Sequence, residues 1–63
     1  MKELDTVRLT EDYAGIEAGT IGVIVYQYDG AVFEVEYFDG NGETIDVVTT
    51  PSNLLSLVAV YGE

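Results

Sequence analysis

The chain has 63 residues, and twelve acidic side chains against two basic ones give it a formal net charge of −10. A charge of this sign and size repels phosphate backbones and anionic lipid surfaces, so we expect no nucleic-acid partner and no membrane partner. The absence of cysteine and histidine removes disulfides, thiolate metal ligands and the usual pairs of nucleophile and base.

The length fits a single domain over residues 1–63, close to the lower size at which a chain folds unaided. Hydrophobic residues make up 48% of the sequence and include five tyrosines and two phenylalanines, which predicts a packed core rather than disorder. We find no signal peptide in the first residues and no apolar run of transmembrane length. Together with the lack of cysteine, this predicts a cytoplasmic location.

The first predicted strand, residues 5–10, alternates polar and apolar residues and places Val7 and Leu9 on one face. The next eight residues break this alternation with one glycine and three acids. We predict a long ordered loop here, with Tyr13 and Ile16 folded back over one end of the core.

Two longer strands meet at Asp29-Gly30, because an Asp-Gly pair between apolar runs is a strong signal for a β-hairpin. A two-residue turn at this point sets a register that divides the two strands into two faces. The inner face, our predicted core, holds Ile24, Tyr26, Tyr28, Phe33, Val35 and Tyr37. The outer face holds Val23, Val25, Gln27, Val32, Glu34 and Glu36. The two glutamates identify it as the solvent face, because unpaired carboxylates are rarely buried.

A second hairpin is predicted around Gly40-Asn41-Gly42, with Gly42 in a left-handed conformation. A three-residue loop keeps carboxylates out of the core and directs Ile45 and Val47 of the next strand, residues 43–49, inward. The pairs predicted from this loop are Asp39 with Glu43, Tyr37 with Ile45, Val35 with Val47, and Glu36 with Asp46.

Pro51 ends that strand, and the Pro-Ser-Asn sequence favours one turn of 3₁₀ helix before a last strand over residues 55–61. The sequence thus predicts an all-β domain of five strands. Such strands must close on one another to hide their edges.

This order of elements resembles an SH3-like small barrel of the KOW type. The resemblance is carried by Asp5-Thr6-Val7-Arg8-Leu9, by Ala18-Gly19-Thr20-Ile21-Gly22-Val23-Ile24 and by the Asp29-Gly30 turn. It implies a five-stranded barrel with a 3₁₀ turn before the last strand. KOW barrels bind nucleic acid through basic loops, whereas the equivalent loop here holds Glu11, Asp12 and Glu17. We therefore expect the barrel fold without the nucleic-acid ligand.

Nearly the whole chain is also similar to a family of small, mostly bacterial and cyanobacterial proteins described as a domain of unknown function. The matching segments are residues 1–7, Ile21-Gly22, Phe33-Glu34-Val35-Glu36-Tyr37 and Gly42-Glu43-Thr44. The resemblance implies a standalone barrel and suggests a gene paired with a partner, as in toxin–antitoxin or immunity arrangements. It supplies no catalytic residues.

We expect no enzymatic activity, no cofactor and no metal site. Asp39-Gly40-Asn41-Gly42-Glu43 alternates possible calcium ligands, but an EF-hand loop requires glycine and glutamate where Thr44 and Thr50 stand. A serine nucleophile would have no histidine to activate it, and a filled small barrel offers no deep cleft.

The outer face is the candidate site, because several exposed valines beside carboxylates are typical of an interface. The predicted partner-binding residues are Val23, Val25, Val32, Glu34, Glu36 and Asp46. They predict an acidic protein-binding module, an inhibitor or an antitoxin- or immunity-like partner of a basic protein. The alternative is a structural subunit or homo-oligomer whose acidity serves only solubility, and the valines could also be covered by the chain itself.

Overall fold

The computed structural model describes residues 1–62 and contains five β-strands and one 3₁₀ turn. The strands are β1 (Thr6–Leu9), β2 (Ile21–Gln27), β3 (Val32–Phe38), β4 (Thr44–Pro51) and β5 (Leu55–Ala59), with the 3₁₀ turn η1 at Ser52–Leu54 between the last two. All neighbouring strands are antiparallel, in the order β4-β3-β2-β1-β5. The predicted all-β class, the five strands and the 3₁₀ turn are confirmed. In the described residues β4 and β5 form the two edges, and strand pairing does not close the sheet.

The core lies on one side of the sheet and is centred on β3, which buries every second side chain. This alternation confirms the predicted inward positions of Phe33, Val35 and Tyr37, which are 0–1% exposed. The buried apolar cluster consists of Val7, Leu9, Ile16, Ile24, Phe33, Val35, Tyr37 and Leu55.

The loop between β1 and β2 is ordered and folds back onto this cluster, as the sequence predicted. Tyr13 and Ile16 exchange backbone hydrogen bonds of 2.9 and 2.8 Å, and Tyr13 packs against the cluster that includes the buried Ile16. The Asp12 carboxylate accepts a hydrogen bond of 2.8 Å from the Ala18 amide, which fastens the loop.

The hairpin of β2 and β3 begins in the predicted register and then departs from it. Ile24 lies opposite Val35 as expected, but the register shifts before Tyr26, which lies opposite Glu34 rather than Phe33. Val25 is the extra residue of this β-bulge, and a bulge reverses the faces of the residues that follow it. The predicted inward positions of Tyr26 and Tyr28 are therefore wrong, and the two side chains are 52% and 56% exposed.

The turn itself explains the shift. The Asp29 carboxylate accepts hydrogen bonds from the amides of Ala31 (2.7 Å) and Val32 (3.1 Å), and the Tyr28 amide donates to the Val32 carbonyl at 3.1 Å. The loop thus has three residues, one more than predicted, and the bulge at Val25 absorbs the difference. The same shift places Gln27, predicted on the outer face, opposite the buried Phe33.

Gly22 permits the close approach of β2 and β3. A Cβ atom at this position would lie 2.6 Å from the Val35 side chain and 3.0 Å from the Tyr37 ring. Because real Cβ contacts are not this short, any side chain here would push the two strands apart.

The second hairpin has the predicted loop but not the predicted register. The Asp39 amide donates to the Glu43 carbonyl at 2.9 Å, and Gly42 has a φ of +80°, as expected of a three-residue loop. A second bulge at Ile45 then places Tyr37 opposite Asp46 and Glu36 opposite Val47.

The predicted pairs of Tyr37 with Ile45, Val35 with Val47 and Glu36 with Asp46 are therefore wrong. Ile45 and Val47 are 50% and 48% exposed, and the half-buried Val48 and the buried Thr50 take the inward positions. The Thr50 hydroxyl donates to the Val48 carbonyl at 3.1 Å and lies 2.9 Å from the Tyr37 hydroxyl. Val48 thus takes the position opposite Val35 that was predicted for Val47, and Thr50, opposite Phe33, adds a polar contact with Tyr37 to the core.

Asp5 joins the two ends of the described chain. Its buried carboxylate accepts hydrogen bonds from the Lys2 side chain (2.7 Å), the Lys2 amide (2.9 Å) and the Tyr61 amide (2.9 Å). The Lys2 and Tyr61 hydrogen bonds lower the pKa of this carboxyl to about 2. The sequence alone indicates for Asp5 only the start of a strand, because its partner at residue 61 is distant in the chain.

Candidate functional site

The surface that carries the predicted site is the solvent side of β2, β3 and β4, which we call the outer face. Residues opposite one another on paired strands share a face, so the register assembles the outer face in rows. One row consists of Val23, Glu36 and Val47, the next of Tyr26, Glu34 and Thr49. A third row consists of Tyr28, Val32 and Pro51.

Four of the six predicted site residues lie together on this face: Val23, Val32, Glu34 and Glu36. All four are half-buried. Val25 is the bulged residue of β2 and is 40% exposed. Asp46 is exposed on β4, but the bulge at Ile45 moves it out of the row of Glu36.

The outer face also contains aromatic residues that sequence analysis assigned to the core. The rings of Tyr26 and Tyr28 meet edge to face, with centroids 4.9 Å apart and an angle of 77° between their planes. The signal that could have found them is weak, because residues 21–26 contain no charge that identifies a solvent side. Their faces depended entirely on the assumed length of the Asp29-Gly30 turn.

The two outer-face glutamates bind hydroxyl groups across the β3–β4 pair. The Thr44 hydroxyl donates to Glu36 Oε2 at 2.6 Å, and the Thr49 hydroxyl donates to Glu34 Oε1. The pKa of Tyr28 is raised for two reasons. The larger is the loss of water around its hydroxyl, and the second is the nearby negative charge of Glu34. The ion pair found within residues 1–62 is that of Lys2 with Asp5, away from this face. Within residues 1–62, neither Glu34 nor Glu36 therefore forms an ion pair.

Other aspartate side chains accept hydrogen bonds from backbone amides in loops and turns. Asp12 and Asp29 accept amide hydrogen bonds in their loops, and the Asp39 carboxylate accepts them from Asn41 (2.9 Å) and Glu43 (3.0 Å). These Asx-type contacts explain the Asp39–Glu43 sequence as turn chemistry. No group of three or more acidic side chains within residues 1–62 is close enough to hold a metal ion.

A shallow groove of about 590 Å³ adjoins the outer face, between the β1–β2 loop and the start of the β3–β4 hairpin. Its walls include Ile16, Ile21, Phe38 and Ile45, and two carboxylate residues, Glu17 and Asp39, also line it. Ile21 and Phe38 lie two positions from Val23 and Glu36 on their strands, so the groove continues the same face.

No helix in the described part of the chain combines the length and apolar character that would be needed to cross a membrane.

The chain belongs to the family described as a domain of unknown function, DUF4926, whose family model matches residues 3–56. This confirms the resemblance to a small family of unknown function. Comparison with curated proteins and with solved structures finds no match.

Proposed function

We propose that this protein is a non-enzymatic, acidic protein-binding module that binds a basic protein through its outer face. The observation that carries the proposal is the position of two exposed tyrosines, Tyr26 and Tyr28, beside the half-buried carboxylates of Glu34 and Glu36. An inhibitor or an antitoxin- or immunity-like protein of a cationic partner is the function that this surface suits best.

Tyrosine suits such a surface because it is enriched at the centres of protein interfaces and buries a large area with few rotatable bonds. The carboxylates select the partner, because a cationic surface placed over Glu34 and Glu36 would supply the ion-pair partners that these two side chains do not have within residues 1–62. The net charge of −10 would accelerate the encounter with a cationic protein and reject acidic ones.

An SH3-like barrel is the finer fold that we infer for this sheet. The strand order, the long β1–β2 loop and the position of η1 before β5 support it. Two backbone hydrogen bonds also hold the two ends of η1, the segment that links the edge strands β4 and β5. The Ser52 amide donates to the Ala31 carbonyl beside the β3–β4 pair, and the Thr10 amide donates to the Leu54 carbonyl beside the β1–β5 pair, both at 2.8 Å. The cysteine-free sequence suits a reducing compartment, and we propose the cytoplasm.

The test is capture of partners from a lysate of the native host on the immobilised protein, with elution by a salt gradient. We expect a basic protein to be retained at low salt and released as salt screens the interaction. Tyr28→Ala should reduce the capture of that protein. Tyr61→Ala is the matched control, because Tyr61 is 62% exposed but lies outside the outer face. Equal capture by both variants, or a captured protein that is acidic, would contradict the proposal.

A structural subunit or homo-oligomer is the second candidate. It is favoured by the apolar surface within residues 1–62: ten large apolar side chains are at least 40% exposed, against eight in the buried core. Self-association through apolar contacts would persist in high salt, whereas binding of a basic partner would weaken. The salt dependence of complex formation therefore separates the two candidates.

A further inference from the structure

The two edges of the sheet differ in how they are protected against pairing with another strand. The β4 edge carries the charge of Asp46 and ends at Pro51, and both features discourage strand addition. Residues 55–61, Leu-Ser-Leu-Val-Ala-Val-Tyr, contain no charged residue and no proline. β5 pairs with β1 on one side only, so its other side presents unpaired backbone groups.

Apolar side chains accompany this free edge. The register between β1 and β5 shifts between Thr6 and Val7, which leaves Val58 as an extra residue beside Leu57. Leu57 and Val58 are each 45% exposed. The strand thus offers both backbone hydrogen-bonding groups and apolar surface to an incoming strand.

We propose that β5 is a self-association edge, at which the β5 strands of two copies pair antiparallel about a two-fold axis. The uncharged, apolar sequence of β5 is compatible with a second copy of itself, because no like charges would face one another when two β5 strands pair. Of the two free edges that residues 1–62 present, only β5 has this composition. Antiparallel self-pairing is also isologous, so it uses both free β5 edges and stops at a dimer.

The small core makes such a dimer useful for stability. A domain of this size buries a limited share of its surface, and oligomerisation is a common source of additional burial. This surface is separate from the outer face, so a dimer could present two outer faces to basic partners. The inference assigns a surface to the self-association named as the second candidate function, and it does not depend on the binding of a basic partner.

The charge of the chain gives this dimer a distinctive response to salt. Each copy carries a net charge of −10, so two copies repel one another at low ionic strength. Screening at about 1 M salt, where the Debye length is about 3 Å, should strengthen the dimer relative to about 0.1 M. Binding of a basic partner would change in the opposite direction.

The experiment is sedimentation equilibrium of the full chain across a range of concentrations at both salt levels. We expect a monomer–dimer equilibrium whose dissociation constant falls as salt rises. Leu57→Lys should weaken the dimer at least tenfold, because it places two ammonium groups close together at the paired edges. Val47→Lys is the matched control, since Val47 is 48% exposed, lies on the outer face and gives the same change in net charge.

A parent chain that stays monomeric at millimolar concentration in high salt would overturn the proposal. A dimer weakened equally by Leu57→Lys and Val47→Lys would also overturn it, because the contact would then lie elsewhere. Far-ultraviolet circular dichroism checks that each variant folds. If Leu57→Lys does not fold, Val58→Lys makes the same test at the neighbouring exposed position.

Discussion

Strands β3 and β4 form one hairpin, yet they relate to the core in different ways. β3 buries Phe33, Val35 and Tyr37 in strict alternation, whereas β4 leaves most of its side chains in solvent and buries only Thr50 fully. β3 is paired on both sides and β4 on one side only. The comparison shows that the centre of the sheet supplies the core, while its edge is free to carry surface chemistry.

The bulge at Ile45 sharpens this difference. It interrupts the ladder one residue after Thr44, so the inward positions of β4 fall on even-numbered rather than odd-numbered residues. Ile45 and Val47 thereby become surface residues, and Val47 joins the outer face beside Glu36. The two strands therefore present different shares of their side chains to solvent, and we expect them to differ in tolerance to substitution.

The largest expected effect separates the two faces of β3. Phe33→Ala should destabilise the fold by about 3–5 kcal/mol, because it leaves a cavity in the core, and this approaches the whole stability of a small domain. Val32→Ala should be mild, since the neighbouring Val32 is half-buried on the outer face. Urea unfolding of both variants measures the difference. Similar losses for the two would mean that the faces of β3 have been assigned in reverse.

The next effect separates two adjacent threonines of β4. Thr50→Val should cost about 1–3 kcal/mol, because it deprives the buried Tyr37 hydroxyl of its partner at 2.9 Å. Thr49→Val removes only an exposed contact with Glu34 and should change stability by less than about 0.5 kcal/mol. Thermal unfolding of both variants measures the contrast. A larger loss for Thr49→Val would contradict the register that the Ile45 bulge sets.

A smaller effect is expected at the turn that joins the two strands. Gly42→Val should cost more than about 1 kcal/mol, because a β-branched residue resists the left-handed conformation at a φ of +80°. Gly40 belongs to the same loop but has no positive φ, and a side chain added there would meet open space. Gly40→Val is therefore the control and should unfold at nearly the parent urea concentration. Equal urea midpoints for the two variants would contradict the three-residue loop with Gly42 in a left-handed conformation.

The sequence predicted the parts of the fold where polar residues mark the solvent side. Glu34 and Glu36 identified both faces of β3. The three-residue loop at Gly42 was predicted correctly, although the inward Ile45 and Val47 on which that prediction depended lie in solvent. The sequence failed for Tyr26 and Ile45, since each lies after or within a bulge whose extra residue leaves no mark in an apolar run. A shift of one residue moves every following side chain to the other face. The glutamates of the candidate site were therefore predictable, and its tyrosines were not.

The smallest effect on stability is expected at Glu36, where the sequence and the structure lead to different predictions. The register predicted from the sequence puts Glu36 opposite Asp46, so that Glu36→Lys would relieve a repulsion between like charges. In the structure Glu36 lies between Val23 and Val47 and accepts a hydrogen bond from Thr44. The variant loses this exposed hydrogen bond while lowering the general repulsion among the acids, so we expect a change within about 0.5 kcal/mol.

Binding should respond to Glu36→Lys far more than stability does. If the outer face contacts a basic partner, the variant should associate more slowly, because rim and steering charges act mainly on the association rate. Glu11→Lys makes the same change in net charge in the β1–β2 loop, so it controls for the loss of overall attraction. Stopped-flow association with the captured partner at two salt concentrations measures both variants. If Glu36→Lys slows association more than Glu11→Lys does, and this difference shrinks as salt rises, the contact lies on the outer face. Equal slowing by the two variants would show that only the total charge affects the association rate.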